Sequence, residues 1–576
     1  MGVRKTTVFE VNRAARVLLS FLAASTFAAF ACAGPNVLTN RVDNARTGAN
    51  LSESILSPAS MSALGSFGKL WTWPVSGSVL AQPLYVQFLV IPGAGVRNVL
   101  YVVTMNDVVY AFDADSSAST PLWSVDLTTQ NPGATPVPIN NIIGDASNIL
   151  GNVGIASTPQ IDLSTHTMYL VARTLESSSS RCGALNGTYC QRLHALDITT
   201  GAEKFGGPVI ISGTYAGLTF DPKNNNQRAG LALANGQIYI AWASHQDENT
   251  YHGWVMTYDA ATLRQTGVFS TTPNKPKGGI WMSGRAPAVD ANGNVYYMVG
   301  NSDPGAGGFD NVSDFSETLL KFPPTGSLFP IDWFAPANWA SLDNNDQDFG
   351  SAGPLLIPGT DLITGAGKSS TFYVMHTSPL GAGGVHEQAG NGQIVQSLAN
   401  NAGELESGPA YWNHTGGLGP TMYNWSNNDY LKAYHFNGAN FDVTPTATSA
   451  PLFQDDGAAL ALSANGSTAG TGIVWAATPA PSGNSDNFAN QGILRAFDAD
   501  NLQELFESDA LSNLNGMGYW SKFNPPTVAN GRVYVASLPP DGTSITGIFV
   551  YGLVGKTYPK PAGIIAAQIA STMLLQ

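Results

Sequence analysis

The chain has 576 residues, with 26 Lys or Arg against 40 Asp or Glu and a formal charge of −14. That balance repels a phosphate backbone and an anionic lipid surface, so nucleic acid and charged membranes are excluded as partners. Only 11% of residues are charged, beside 62 Gly and 35 Pro, which suits many short strands joined by turns rather than long amphipathic helices.

In chain order, Arg4, Lys5, Arg13 and Arg16 come first, then the apolar run Val17 to Phe30, then Ala31, Cys32 and Ala33. This order predicts a secretory signal peptide over residues 1–33 and a mature protein that is secreted or periplasmic. A lipoprotein would keep Cys32 as its lipidated residue, but Phe30 and Ala29 stand where a small residue and Leu are wanted. No later segment predicts a membrane span, because the apolar tail Ala562 to Leu575 is short and contains Gln568, Ser571 and Thr572. Loss of Cys32 leaves Cys182 and Cys190, expected to pair as a staple on a surface hairpin in an oxidising compartment.

No linker divides residues 34–555, which read as one domain followed by a tail over 556–576. Within that domain one pattern recurs: a turn, alternating strands, and a closing strand that ends in a small residue, an aromatic and Asp. It closes at Ala111-Phe112-Asp113, Ala195-Leu196-Asp197, Thr257-Tyr258-Asp259 and Ala496-Phe497-Asp498. Looser copies close at Leu320-Lys321-Phe322, Tyr373-Val374-Met375, Lys432-Ala433-Tyr434 and Phe549-Val550-Tyr551. Eight copies predict an all-β, eight-bladed β-propeller of four-stranded antiparallel blades, with seven blades as the alternative because the copies at Met375 and Tyr434 are degenerate. Inner strands are expected after Thr158-Pro159, Gly230, Ala286-Pro287, Gly353-Pro354, Gly408-Pro409 and Pro525-Pro526. Polar residues just before them, Arg228, Arg285, Asp348, Glu406 and Lys522, are expected to ring the central funnel.

The segment Ala195-Leu-Asp197-Ile-Thr-Thr-Gly201-Ala-Glu-Lys-Phe205 resembles the repeat of pyrroloquinoline quinone (PQQ) proteins, with Phe205 in place of a docking Trp. The runs Asp43-Asn-Ala-Arg-Thr-Gly48-Ala-Asn50, Ala81-Gln-Pro-Leu-Tyr85 and Tyr251-His-Gly-Trp254 are similar to a group of secreted bacterial PQQ-like propellers. Resemblance to the PQQ-dependent alcohol dehydrogenases implies a quinone in the channel, Ca²⁺ as a Lewis acid and an Asp base. Matched by motif, Glu248 and Asn301 fall on metal ligands, Trp281 on the residue stacked under the quinone, Lys368 on the cation at its oxygens, and Asp348 on the base. Hard carboxylate and amide oxygens suit Ca²⁺, and a cation beside the quinone stabilises the charge that arrives with hydride.

Other readings of the same residues stand beside these. Asp247 is an alternative inward carboxylate to Glu248, Gly300-Asn301 also fits a plain turn, and Trp281 also fits inter-blade packing. Asp348 and Lys368 also fit a structural ion pair, and His245, His252 and His435 fit ordinary structural roles. Two parts of the alcohol dehydrogenases are missing: the adjacent-cysteine disulfide that covers the quinone, whose place Asn148 to Gly154 takes, and a Cys-x-x-Cys-His haem motif. Reduced quinone would therefore need a separate electron acceptor. The sequence thus carries two expectations, a PQQ and calcium oxidoreductase acting on an alcohol or sugar hydroxyl, and a non-catalytic propeller that binds a small molecule, an extracellular ligand or a protein.

Overall fold

The computed structural model describes residues 36–558 apart from 131–132, 144–148, 178–181, 183–187, 249, 381–393, 400–402, 453–455, 481–489, 510–514, 539–545 and 557. The predicted signal segment and the tail beyond 558 lie outside these.

Eight antiparallel blades follow one another along the chain, each with a core of four strands that run in sequence order in blades 1 to 7, with short extra strands added to blades 2, 7 and 8. Their inner strands are Leu84–Ile91, Gln160–Asp162, Ala232–Ala234, Ala288–Val289, Leu355–Leu356, Ala410–Trp412, Ala459–Ser463 and Thr527–Ala529, in blades 1 to 8. Every predicted inner strand begins where Pro or Gly ended the preceding turn, and all eight closing motifs form third strands. Blade 8 departs from sequence order: its fourth strand is Phe67–Val75, paired antiparallel to Thr546–Leu553. The N-terminal side of the domain thereby completes the last blade, and Trp73 on that strand stacks on Phe112 of blade 1 at 4.9 Å. Ring closure is thus made by hydrogen bonds and a buried aromatic pair.

The closing motif has a physical reason. Its Asp accepts backbone N–H groups of its own turn, as Asp197 does from Thr199 at 2.8 Å and Asp498 from Asp500 at 2.9 Å. The carbonyl just after it receives a tyrosine hydroxyl from the preceding blade: Tyr101 to Ile198, Tyr169 to Ala260 and Tyr423 to Ala499, at 2.8, 2.9 and 2.9 Å. Blades 1 and 2 therefore each carry both halves of a tie, since Tyr534 of blade 8 reaches the carbonyl of Ala114 at 3.4 Å. Phe205 packs against the hydrophobic cluster between blades 2 and 3.

Residues 37–50 lie inside the ring. Val37 pairs with Tyr85, and the carbonyls of Leu38, Asn44, Ala45, Thr47 and Gly48 accept from Ile161, Val289, Leu356, Tyr411 and Leu462 in blades 2, 4, 5, 6 and 7. Asn50 Nδ2 then reaches the carbonyl of Val528 in blade 8 at 2.8 Å. Fourteen residues of extended chain cover at most ~45 Å, one circuit of radius about 7 Å, which suits a single turn around a propeller channel. The run Val37 to Asn50 is thus a channel seal. Arg46, fully buried, donates to the carbonyl of Pro287 at 2.8 Å and to the seal's own Thr39 Oγ1 and Asn40 carbonyl at 2.8 and 2.9 Å.

Cys182 and Cys190 are joined in a disulfide at the start of the third strand of blade 2. Tyr558, past the predicted domain end at residue 555, donates to the carbonyl of Gly531 at 3.2 Å. Among the described residues no helix is long and apolar enough to cross a membrane.

Candidate active site

The polar residues that precede the inner strands surround a cavity of about 540 Å³ at one mouth of the channel. Arg228, Asp348, Glu406 and Lys522 line it. Arg285 does not: it is buried beside the seal, donating to the carbonyls of Pro409 and Pro354 at 2.7 and 3.2 Å. The remaining wall divides into an apolar side, with Leu80, Ile143, Ile149 and Ala156, and a charged side that includes Asp247, Asp346 and Lys368, with half-buried Trp281 also on the lining.

Blades 4 and 5 build the charged side. After the short helix Trp339–Asn344, Asp346 takes a left-handed φ of 55°, a conformation that Asp tolerates, and the chain turns back to present Asp348. Asp348 Oδ1 accepts the backbone N–H of Asn301 at 3.0 Å, and its Oδ2 lies 2.9 Å from Lys368 Nζ. Lys368 also reaches Asp346 Oδ2 at 3.1 Å, while Asp346 Oδ1 accepts from Asn301 Nδ2 at 3.1 Å. Glycine permits this closeness: a Cβ at Gly300 would sit 2.4 Å from Asp348 Oδ1 and 3.0 Å from Trp281 Cδ1, and one at Gly367 only 1.9 Å from the Asp348 carbonyl. Trp281, Asn301, Asp348 and Lys368 are therefore brought together as one constellation.

Burial raises the Asp348 carboxyl above the ordinary carboxylate range, and Lys368 offsets that only in part. Burial works against the charged Lys368, yet Asp348 and Asp346 outweigh it and hold its pKa above the usual lysine value. Behind them, Glu317 accepts the N–H of Phe349 at 2.5 Å and is pushed well up by burial and by Asp348. Across the cavity, burial and the carboxylate of Asp456, against the pull of Lys522, push Glu406 to about 8. Lys522 Nζ stands 2.8 Å from Asp456 and 3.9 Å from Glu406.

Glu248 is not brought to this place. It is exposed on the loop after Gln237–Trp242, and the inward carboxylate of that loop is Asp247. The left-handed backbone at Gln246 and Asp247, φ 51° and 55°, turns the loop so that Asp247 faces the cavity and the next side chain faces solvent. Asp247 is already engaged, accepting Tyr251 Oη at 2.6 Å and Lys277 Nζ at 3.0 Å. Asn301 Oδ1 is buried without a hydrogen-bond partner among the described residues. Sequence reasoning passed over Arg173 and assigned His245 a structural role, yet His245 stands on the cavity wall with Arg173 behind it. The only sequence signal was position, since Ser244 to Asp247 directly follow a second strand as the metal-binding motif does. Of the expected cover, Asn148 lies outside the described residues and Ile149 lines the cavity.

No protein-family model matches the sequence, and no curated protein matches it. Among solved structures, the quinohemoprotein alcohol dehydrogenase ADHIIG from Pseudomonas putida HK5 aligns over 91% of this chain and 81% of its own, with a TM-score of 0.54 at 15% identity. The chain has that enzyme's propeller fold. Sqt1 of Saccharomyces cerevisiae aligns over 84% of this chain and 99% of its own, with 8% identity and a TM-score of 0.42.

The donor set can be held against the two groups the fold resemblance implies. For a quinone bearing carboxylates, Trp281 offers a flat aromatic wall, and Arg228, Lys368 and Lys522 line the same cavity, Lys368 paired with Asp346 and Asp348 and Lys522 with Asp456. Calcium does not suit it. Ca²⁺ requires six to eight oxygens, roughly, whereas Asp247, Asp346 and Asp348 are each bound to a lysine ammonium, and among the described residues the unpartnered oxygens of the lining, Ser244 Oγ and Glu406 Oε2, and Asn301 Oδ1 behind Asp348 are too few. Among the described residues, the one close cluster of potential ligands is Glu176 with Cys182 and Cys190, and those cysteines form the disulfide.

Proposed function

We propose that the protein is an exported oxidoreductase that binds a quinone of the PQQ type in the channel mouth and oxidises a hydroxyl of a small alcohol or sugar. The observation that carries this reading is the convergence of Trp281, Asp348 and Lys368 on one cavity, with Asn301 buried behind Asp348, in a propeller fold shared with a quinohemoprotein alcohol dehydrogenase.

In this reading Asp348 is the base. Its two oxygens accept one bond each from the protein, while a carboxylate has about four acceptor sites, so it retains capacity for a substrate hydroxyl. Burial raises its basicity, and the Asn301 N–H fixes the plane of the carboxylate. Lys368 holds Asp348 in place and brings positive charge to the side where negative charge develops. Trp281 and the apolar wall of Leu80, Ile143 and Ile149 exclude water from the reacting atoms. A bound quinone would supply the two-electron acceptor for hydride leaving the carbinol carbon, and a separate acceptor would take the electrons onward. No step is assigned to calcium.

The pairing of each inward aspartate with a lysine favours a second reading, a propeller that binds its ligand without turnover. Titration with PQQ, followed by dye-linked oxidation of a panel of alcohols and sugars with calcium or with chelator, separates them. Turnover that survives chelator and is lost in Asp348→Asn supports the first reading, tight binding without turnover supports the second, and absence of quinone binding rejects the quinone site.

A further inference from the structure

His245 follows the second strand of blade 3 and is 3% exposed on the wall of the cavity. Its Nε2 lies 2.7 Å from a guanidinium nitrogen of Arg173. Guanidinium has donors and no acceptor, so this contact is a hydrogen bond only if Nε2 presents its lone pair. The single proton of the neutral ring must then sit on Nδ1. An imidazolium would set N–H against N–H and cation against cation in a buried place, and both burial and the Arg173 charge press the ring well below its ordinary pKa.

Arg173 is fixed independently of His245. Its backbone N–H donates to Asp107 Oδ1 at 3.3 Å, and its guanidinium donates to the carbonyl of Asn225. Burial lowers its pKa to about 10, with Asp107 and Asp221 opposing, so it stays charged at neutral pH. The charged groups around His245 are thus Arg173 and Asp107 behind it and Asp247 two residues on along its own loop.

The consequence lies at the other nitrogen. His245 Nδ1 is buried with no hydrogen-bond partner among the described residues. His252, seven residues on, shows the ordinary structural arrangement, its Nδ1 set 2.8 Å from the carbonyl of Thr272. A buried donor left unmatched is costly, and His245 stands on the cavity wall, where an occupant's acceptor oxygen would answer it.

We infer that His245, oriented by Arg173, is a neutral hydrogen-bond donor whose Nδ1–H binds an acceptor oxygen, carbonyl or carboxylate, of the molecule that fills the cavity. The inference rests on the reading of this cavity as a ligand site and deepens it. A neutral imidazole donor stabilises charge developing on such an oxygen without giving up its proton, and it complements the Lys368 cation on the neighbouring wall. His245 is then a ligand-binding residue, and Arg173 a positioning residue that sets the tautomer.

The test uses the full mature protein labelled with ¹⁵N-histidine, PQQ as the first probe and gluconate, a hydroxy acid, as the second. Long-range proton–nitrogen correlation is expected to show His245 as the Nδ1–H tautomer from about pH 5.5 to about pH 8, with the signal assigned by its loss in His245→Phe or His245→Asn. Saturating PQQ is expected to shift the Nδ1 resonance. His245→Phe should weaken binding about tenfold, and His245→Asn, whose amide N–H takes the Nδ1 place, should recover most of that. Arg173→Met should let the Nε2–H tautomer appear. An Nε2–H ring or an imidazolium at neutral pH in the wild type overturns the inference. Should PQQ fail to bind, the quinone reading falls by itself, and a gluconate-dependent shift of His245 sustains the inference without it. A ring that neither probe moves overturns it.

Discussion

The backbone N–H of Asn301 donates to Oδ1 of Asp348 across 3.0 Å, tying the end of a blade 4 strand to the loop that opens blade 5. The two residues are 47 positions apart, and their contact exists only because neighbouring blades lie side by side. It leaves the Asp348 carboxylate held at one oxygen by a neutral donor and at the other by Lys368.

Asp348→Asn is expected to abolish base catalysis, with turnover falling by about 10²–10⁴. The amide also leaves the buried Lys368 with Asp346 as its one carboxylate partner, so stability should drop by about 1–3 kcal/mol, read by denaturant unfolding. Turnover equal to wild type in a folded Asp348→Asn would remove Asp348 from the mechanism.

Glu406 gives the cavity a pH-dependent stability. Its pKa is raised from 4.5 to about 8 in the folded protein. Below the lower value both folded and unfolded chains keep the proton; between the two values only the folded chain does, so stability declines as pH rises towards 8. Glu406→Gln cannot ionise and should lose this slope. The wild type minus variant difference in unfolding free energy should fall by about 1–3 kcal/mol between mildly acidic and mildly alkaline pH. A difference that is flat with pH would place Glu406 at an ordinary pKa.

Arg46 binds the channel seal to blade 4 and to itself through its contacts with Pro287, Thr39 and Asn40. Arg46→Ala strands several buried carbonyls at once and should cost about 3–5 kcal/mol. Thermal denaturation measures the loss. A shift of less than a degree would mean that the circuit of residues 37–50 is dispensable.

The tyrosine ties between blades predict a graded series. Tyr101→Phe, Tyr169→Phe and Tyr423→Phe each delete one hydroxyl bonded to the turn of the next blade, and each should cost about 1 kcal/mol. Because the three hydroxyls bond different turns and share no partner, the triple variant should lose roughly their sum in unfolding free energy.

Much of the architecture is written locally in the chain. A closing Asp satisfies its own turn, the strands around it alternate, and Pro or Gly precedes the next inner strand. These are short-range requirements, so they recur visibly and blade number can be counted from them, even at the degenerate copies ending at Met375 and Tyr434. That Trp281, Asn301, Asp348 and Lys368 lie close together was legible only through motif resemblance, since they sit on different strands and loops of blades 4 and 5 that no local rule brings together.

Tertiary structure decided the rest. That Phe67–Val75 completes blade 8, and that residues 37–50 seal the channel, follow from pairings hundreds of residues apart that no local pattern encodes. The choice between Asp247 and Glu248 turned on one left-handed turn, since a change of backbone hand sends successive side chains to opposite sides. The state of His245 depended on Arg173, 72 residues away, because only the approach of a donor-only guanidinium determines which ring nitrogen carries the proton.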